Sequence, residues 1–91
     1  MAAKRLVIGG IVQGVGYRHW LAATARRLGV DGWVRNRSDG TVEALVYAET
    51  DVVEELVRAC RRGPMLAQVT LIEEFLAEPP DGPGFVVLPT A

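Results

Sequence analysis

The sequence has one cysteine, one histidine and one lysine among 91 residues. A lone thiol, Cys60, cannot close an intramolecular disulfide, and Cys60 with His19 cannot assemble the Cys/His sets that hold zinc. A metal site would have to rest on carboxylates, and the acids follow no ligand spacing, so no metal and no cofactor is expected. Aromatic residues make up only 7% of the chain. No apolar run approaches the roughly 18 residues needed to cross a bilayer. The net charge is −1, so attraction of the whole molecule to nucleic acid or to a membrane surface is not expected. Repeats, linkers and low-complexity tracts are also missing.

What remains is ordinary globular composition, 49% apolar and 23% charged. The length suits one domain over residues 1–91, and such a chain buries roughly 60–65% of its unfolded surface. Lys4 and Arg5 before Leu6-Val7-Ile8 resemble the opening of a signal peptide. Gly9-Gly10 stops that apolar run and no small-residue cleavage site follows, so the segment reads as a first strand in a soluble, cytoplasmic protein. Small size and the lack of an evident interface point to a monomer.

Charge is unevenly placed. Residues 1–40 carry seven cations against two acids, a net +5, and residues 41–91 carry three against nine, a net −6. A positive first half can mark an anion site, or reflect differently charged solvated faces.

The hydrophobic pattern alternates between periods of 2 and 3.6. Residues 6–12 read as strand one and the glycine-bearing residues 13–17 as a loop. Residues 18–28 read as helix one, with Leu21, Ala25 and Leu28 on one stripe and Gly29 as its stop. Residues 32–37 and 41–47 are strands joined through Ser38-Asp39-Gly40. Val42, Ala44 and Val46 alternate with Glu43, Leu45 and Tyr47, as on a sheet with one covered face. Asp51 and Glu54 have the spacing of a capping box at the start of helix two, whose stripe is Val53, Leu56, Val57 and Cys60 and whose end is Gly63-Pro64. Residues 67–76 form strand four and residues 85–88 a short last strand. The order β-α-β-β-α-β plus a terminal strand is the α+β ferredoxin-like, split βαβ pattern. It predicts an antiparallel sheet with both helices on one face and strands one and three central. That fold alone names no function.

Chemistry concentrates in Val12-Gln13-Gly14-Val15-Gly16-Tyr17-Arg18, which leaves a strand, turns through two glycines and enters a helix. Glycines let backbone N–H groups turn inward, and a helix N-terminus adds unpaired N–H groups and the positive end of a dipole. The third glycine of a dinucleotide fingerprint is replaced by His19, and no P-loop lysine follows. A Gly-x-Gly alone fits a phosphate cradle or merely a tight turn. Arg18 favours the cradle. A cation at a helix start opposes the dipole by on the order of 0.3–1 kcal/mol unless an anion lies between them. Arginine also grips phosphate oxygens bidentately. Asn36, on the same strand face as Val34 and just before the hairpin, is the second candidate. Trp33, Arg35 and Arg37 take the opposite face. Asn36-Arg37-Ser38 is also a glycosylation sequon, discounted without a secretory signal.

These residues resemble the acylphosphatase family. Val12-Gln13-Gly14-Val15-Gly16-Tyr17-Arg18 is similar to one family signature. Gly32-Trp33-Val34-Arg35-Asn36 with Asp39-Gly40-Thr41-Val42-Glu43 is similar to the other, and the resemblance runs in order over nearly the whole chain. It implies hydrolysis of the carboxyl–phosphate bond of small acyl phosphates, without metal or covalent intermediate. By the same resemblance, the phosphoryl group is held by Arg18 and the loop amides of Gln13, Gly14, Val15, Gly16, Tyr17 and Arg18. Asn36 positions the attacking water. Ile11, the sequence Tyr47-Ala48-Glu49 and Tyr17 in place of the commoner Phe depart from the family pattern. None of these replaces Arg18 or Asn36.

Cys60, on the apolar stripe, is expected to be a core thiol far from the loop. His19 is expected to point away from the site, and Trp20 and Trp33 to be packing residues. Two other classes compete. A non-enzymatic ferredoxin-like module would bind an anionic metabolite or a protein partner. An RNA-binding sheet would need exposed aromatics on the central strands, and strand one has none.

Overall fold

Alternation along the third strand decides which face of the sheet is covered. The computed structural model describes residues 1–91. Its elements are β1 (Ala2–Ile11), α1 (Tyr17–Leu28), β2 (Asp31–Asn36), β3 (Val42–Ala48), α2 (Thr50–Arg62), β4 (Gln68–Leu76) and β5 (Phe85–Val87). Val42, Ala44 and Val46 of β3 are fully buried. Beside them in register lie Leu6 and Ile8 of β1 and Val34 of β2. Leu21 and Ala25 of α1, with Val53, Leu56, Val57 and Cys60 of α2, close over this face in one core of 19 buried residues. Each buried Val, Leu or Ile side chain contributes about 1.5–3 kcal/mol relative to exposure. The single apolar stripe on each helix therefore fixes both to the same side.

The strand order is β4-β1-β3-β2-β5, with β1 and β3 flanked on both sides as expected. The sheet is antiparallel as expected except at one edge, where β5 pairs parallel to β2. The register explains it. Leu76, the last residue of β4, lies opposite Lys4, and the start of β1 lies beside the end of β3 and the start of β2. A chain crossing that end of the sheet without doubling back must run alongside β2 in the same direction.

Strand β1 starts at Ala2, earlier than the expected residue 6, with Ala2 opposite Ala48 and Lys4 opposite Val46. Ladder hydrogen bonds do not require apolar side chains, and Lys4 is accommodated by Glu74 at 2.8 Å. The expected capping box is not formed. Helix α2 begins one residue before Asp51, with Glu49 as N-cap and no side-chain cap bond. Asp51 instead lies in the first turn, where a carboxylate favours the positive end of the helix dipole.

Glu43 lies on the helix-free face, yet it is only 7% exposed. Arg5 Nη1 (3.1 Å) and Arg35 Nε (2.8 Å) both donate to its carboxylate. The two guanidiniums in turn lie over the rings of Phe75 (4.4 Å) and Trp33 (4.7 Å). The arginines of this face are thus engaged with a carboxylate and aromatic rings. No helix is long and apolar enough to cross a membrane.

Candidate active site

The loop between β1 and α1 is shaped by Gly14 (φ 74°) and Gly16 (φ 78°), both left-handed. A Cβ at either would meet nothing within 4 Å, so the requirement for glycine is conformational rather than steric. An L-residue there costs about 1–2 kcal/mol. Gly16 is the N-cap of α1; it supplies no side-chain cap, and no acid lies in the first turn. The first helical bond runs from the Trp20 N–H to the Gly16 carbonyl. No protein acceptor takes up the backbone N–H groups of residues 13–19. A helix start left uncapped beside a left-handed turn is a ready receptor for an anion.

Asn36 ends β2 and faces this loop. Its Oδ1 is buried and has no protein hydrogen-bond partner. Buried polar atoms are almost always paired, so this orphan is unusual. The hairpin that carries it is held by Asp39, whose Oδ1 accepts from Thr41 N–H (3.0 Å) and Thr41 Oγ1 (2.6 Å). These bonds hold the Asp39 carboxyl below its ordinary value of 3.8, the hydroxyl bond acting most strongly. A depressed carboxyl contributes stability above its unfolded pKa and loses it as pH falls through the folded value. The difference in Tm between the protein and Asp39→Ala is therefore expected to stay constant from about pH 8 to about pH 5 and to shrink below about pH 4. Thermal unfolding monitored across this range checks it.

Tyr17, the first residue of α1, is anchored across the core. In α2 the carbonyl of Cys60 would normally accept from residue 64, but Pro64 has no N–H. The Tyr17 hydroxyl donates to that carbonyl at 2.7 Å. Burial, reinforced by Cys60, pushes the phenol far above its ordinary range, so it remains a donor. The Cys60 thiol is itself buried and pushed up to about 12 by burial, with the Tyr17 hydrogen bond pulling the other way. Cys60 was expected to lie far from the loop. Its thiol is in the core, but its carbonyl fastens the residue next to Arg18. Tyr17→Phe should leave this carbonyl unsatisfied and cost about 1–3 kcal/mol, read as a lower Tm in thermal unfolding.

A cavity of about 150 Å³ lies between loop, helix start and strand end. Gln13, Gly14, Gly16, Tyr17, Arg18 and Asn36 all line it, beside Val12. Val15, the remaining loop residue of interest, instead packs its side chain against the core. His19, expected to point away, also lines the cavity. In the first turn of a helix whose start faces the cleft, adjacent positions fan around the opening rather than away from it. Trp20 is partly buried against the core, its ring 5.4 Å from Tyr17. The side chain of Gln13 was not foreseen: its Nε2 donates to the carbonyls of Arg37 (2.8 Å) and Thr41 (2.9 Å) at the neck of the hairpin. Nothing in the sequence near Gln13 announces these partners. The Tyr17 bond does leave a trace, since Pro64 four residues after Cys60 marks an orphan carbonyl.

No group of three or more His, Cys, Asp or Glu side chains is placed to hold a metal ion. The cavity thus brings together unbonded N–H groups, one guanidinium and one side-chain amide.

Known proteins share this chain's sequence and fold. The family model described as Acylphosphatase matches residues 4–87. An acylphosphatase of Acidiphilium cryptum is 63% identical over 86 residues, covering 94% of each chain. One of Azoarcus sp. is 51% identical over 90 residues, covering 99% of this chain and 92% of its own. The crystal structure of acylphosphatase from Bacillus subtilis superposes with a TM-score of 0.91 at 31% identity, covering 97% of this chain and 99% of that one. With its two signatures in place and the fold shared end to end, the chain belongs to the acylphosphatase family.

Proposed function

We propose that the 91 residues act as one catalytic unit that hydrolyses acyl phosphates by direct attack of water on phosphorus. The observation that carries this reading is one small cleft lined by Arg18 and Asn36 beside the unbonded N–H groups of residues 13–19. The N–H groups of Gln13, Gly14, Val15, Gly16, Tyr17 and Arg18, with the Arg18 guanidinium, take the phosphoryl oxygens. The phosphoryl-transfer transition state is loose and carries its charge on the equatorial oxygens, so preorganised donors there stabilise it most. Asn36 holds the water in line through its side-chain amide.

Little further machinery is required. The leaving carboxylate has a conjugate acid near the Glu value of about 4.3, so it departs with the electron pair of the broken P–O bond unassisted by a general acid. The attacking water forms the new P–O bond and passes its proton to a phosphoryl oxygen of the substrate. The site is complete within one chain, which supports a monomer, and a single unpaired thiol is in keeping with a cytoplasmic location.

Release of inorganic phosphate from acetyl phosphate, with a chelator present, tests the reading. Turnover at an unchanged rate in the chelator is expected. No turnover would leave the non-enzymatic, anion-binding module as the alternative.

A further inference from the structure

The Gln13 side chain stands between the two halves of the cleft. It belongs to the loop that cradles the anion, yet both of its donors leave that loop. Nε2 reaches the carbonyls of Arg37 and Thr41 at 2.8 and 2.9 Å. These two carbonyls form the neck of the β2–β3 hairpin, directly after Asn36. Each already accepts once: Thr41 O from Arg37 N–H (2.9 Å) and Arg37 O from Gly40 N–H (3.2 Å). The neck is therefore closed without Gln13, and the clamp is an added connection rather than part of the turn itself. Besides the clamp, the hairpin is linked to the sheet through β2 and β3, which end at Asn36 and begin at Val42, and to Ala91, whose N–H donates to the Asn36 carbonyl (3.0 Å) and whose carbonyl accepts from Ser38 N–H (3.1 Å). Nothing else ties the neck to the loop by a side-chain hydrogen bond.

We propose that Gln13 is a positioning residue for Asn36. Its clamp sets the distance from the anion cradle to the amide that holds the water. The inference rests on the function proposed above. A water must be aligned with phosphorus within fractions of an ångström, and a misplacement of about 1 Å costs on the order of 10²-fold in rate. Anion binding uses backbone N–H groups and Arg18, and does not need the Gln13 side chain. Losing the clamp should thus lower kcat while leaving phosphate affinity in place.

Gln13→Met keeps the length and removes both donors. Gln13→Glu keeps the shape and, when ionised, sets a carboxylate against two carbonyl oxygens. Protonated, it can donate one hydrogen bond. The variants are compared with the parent protein in acetyl phosphate hydrolysis and in competitive inhibition by inorganic phosphate, well below their Tm. We expect kcat of Gln13→Met to fall about 10- to 100-fold, with the phosphate Ki within about twofold of the parent. Gln13→Glu should match it at pH 7 and recover part of the loss relative to Gln13→Met toward pH 4.5. Unchanged kcat, an equal loss of phosphate affinity, or an acid profile of Gln13→Glu identical to that of Gln13→Met would each overturn the assignment. An inactive parent protein would instead contradict the hydrolase reading, and is told apart because it appears before any variant is made.

Discussion

Arg18→Ala is expected to lower kcat/KM for acetyl phosphate by about 10³-fold or more and to weaken inhibition by inorganic phosphate about 10- to 100-fold. Arg18 lines the cavity at the start of a helix that has no acid in its first turn and no side-chain cap. A guanidinium there is repelled by the helix dipole unless an anion intervenes. Charged hydrogen bonds of this kind contribute about 1.5–3 kcal/mol to binding. The same donors strengthen as charge builds on the equatorial oxygens, so the rate should suffer more than the affinity. Arg18→Lys should fall between the two proteins, because lysine keeps the charge and loses the planar fork. Steady-state kinetics with acetyl phosphate, and phosphate as competitive inhibitor, measure both quantities. Equal losses from alanine and lysine would mean that geometry alone matters, and no loss would remove Arg18 from the site.

Asn36→Ala is expected to behave differently, with kcat reduced about 10²- to 10³-fold and phosphate Ki within about twofold. Asn36 Oδ1 is buried without a protein partner, and the residue lies across the cleft from the N–H groups. Truncation removes an orphan acceptor, so the fold loses little; Tm should stay within a few degrees. The separation of rate from affinity is the signature of a group that holds the water and not the phosphoryl oxygens. A parallel loss of phosphate binding would assign Asn36 to the anion receptor instead.

Most of the architecture could be read from periodicity, because burial on one face forces it. Val42, Ala44 and Val46 could face only a core, and Val53, Leu56, Val57 and Cys60 could bury only one side of a helix. Features made by backbone were harder to see. The early start of β1 depends on ladder bonds at Ala2–Lys4 that impose no side-chain pattern. The parallel pairing of β5 follows from where the β4 chain leaves the sheet, which is a property of topology. The burial of Glu43 does not show in its alternation, because only the pairing of β1, β2 and β3 brings Arg5 and Arg35 over it.

The site divides in the same way. The loop glycines and Arg18 announce themselves by conflict with ordinary preferences: two residues that favour positive φ and a cation at the wrong end of a helix. Asn36 gains its meaning only from what lies opposite. His19 was misplaced because helical angles give a direction around the axis and not the position of the cleft. Gln13 could not be read at all beyond its own N–H, since its side chain bonds carbonyls 24 and 28 residues away. Any residue type at positions 37 and 41 presents the same carbonyl.

Titration of ¹⁵N-labelled protein with inorganic phosphate, followed by amide NMR, tests most directly whether the uncapped turn is an anion receptor. Saturable shifts concentrated on the amides of residues 13–19, accompanied by the Asn36 side-chain amide and moved to about 10- to 100-fold higher phosphate in Arg18→Ala, are the predicted result. Shifts that map to another surface, or that survive unchanged in Arg18→Ala, would contradict it.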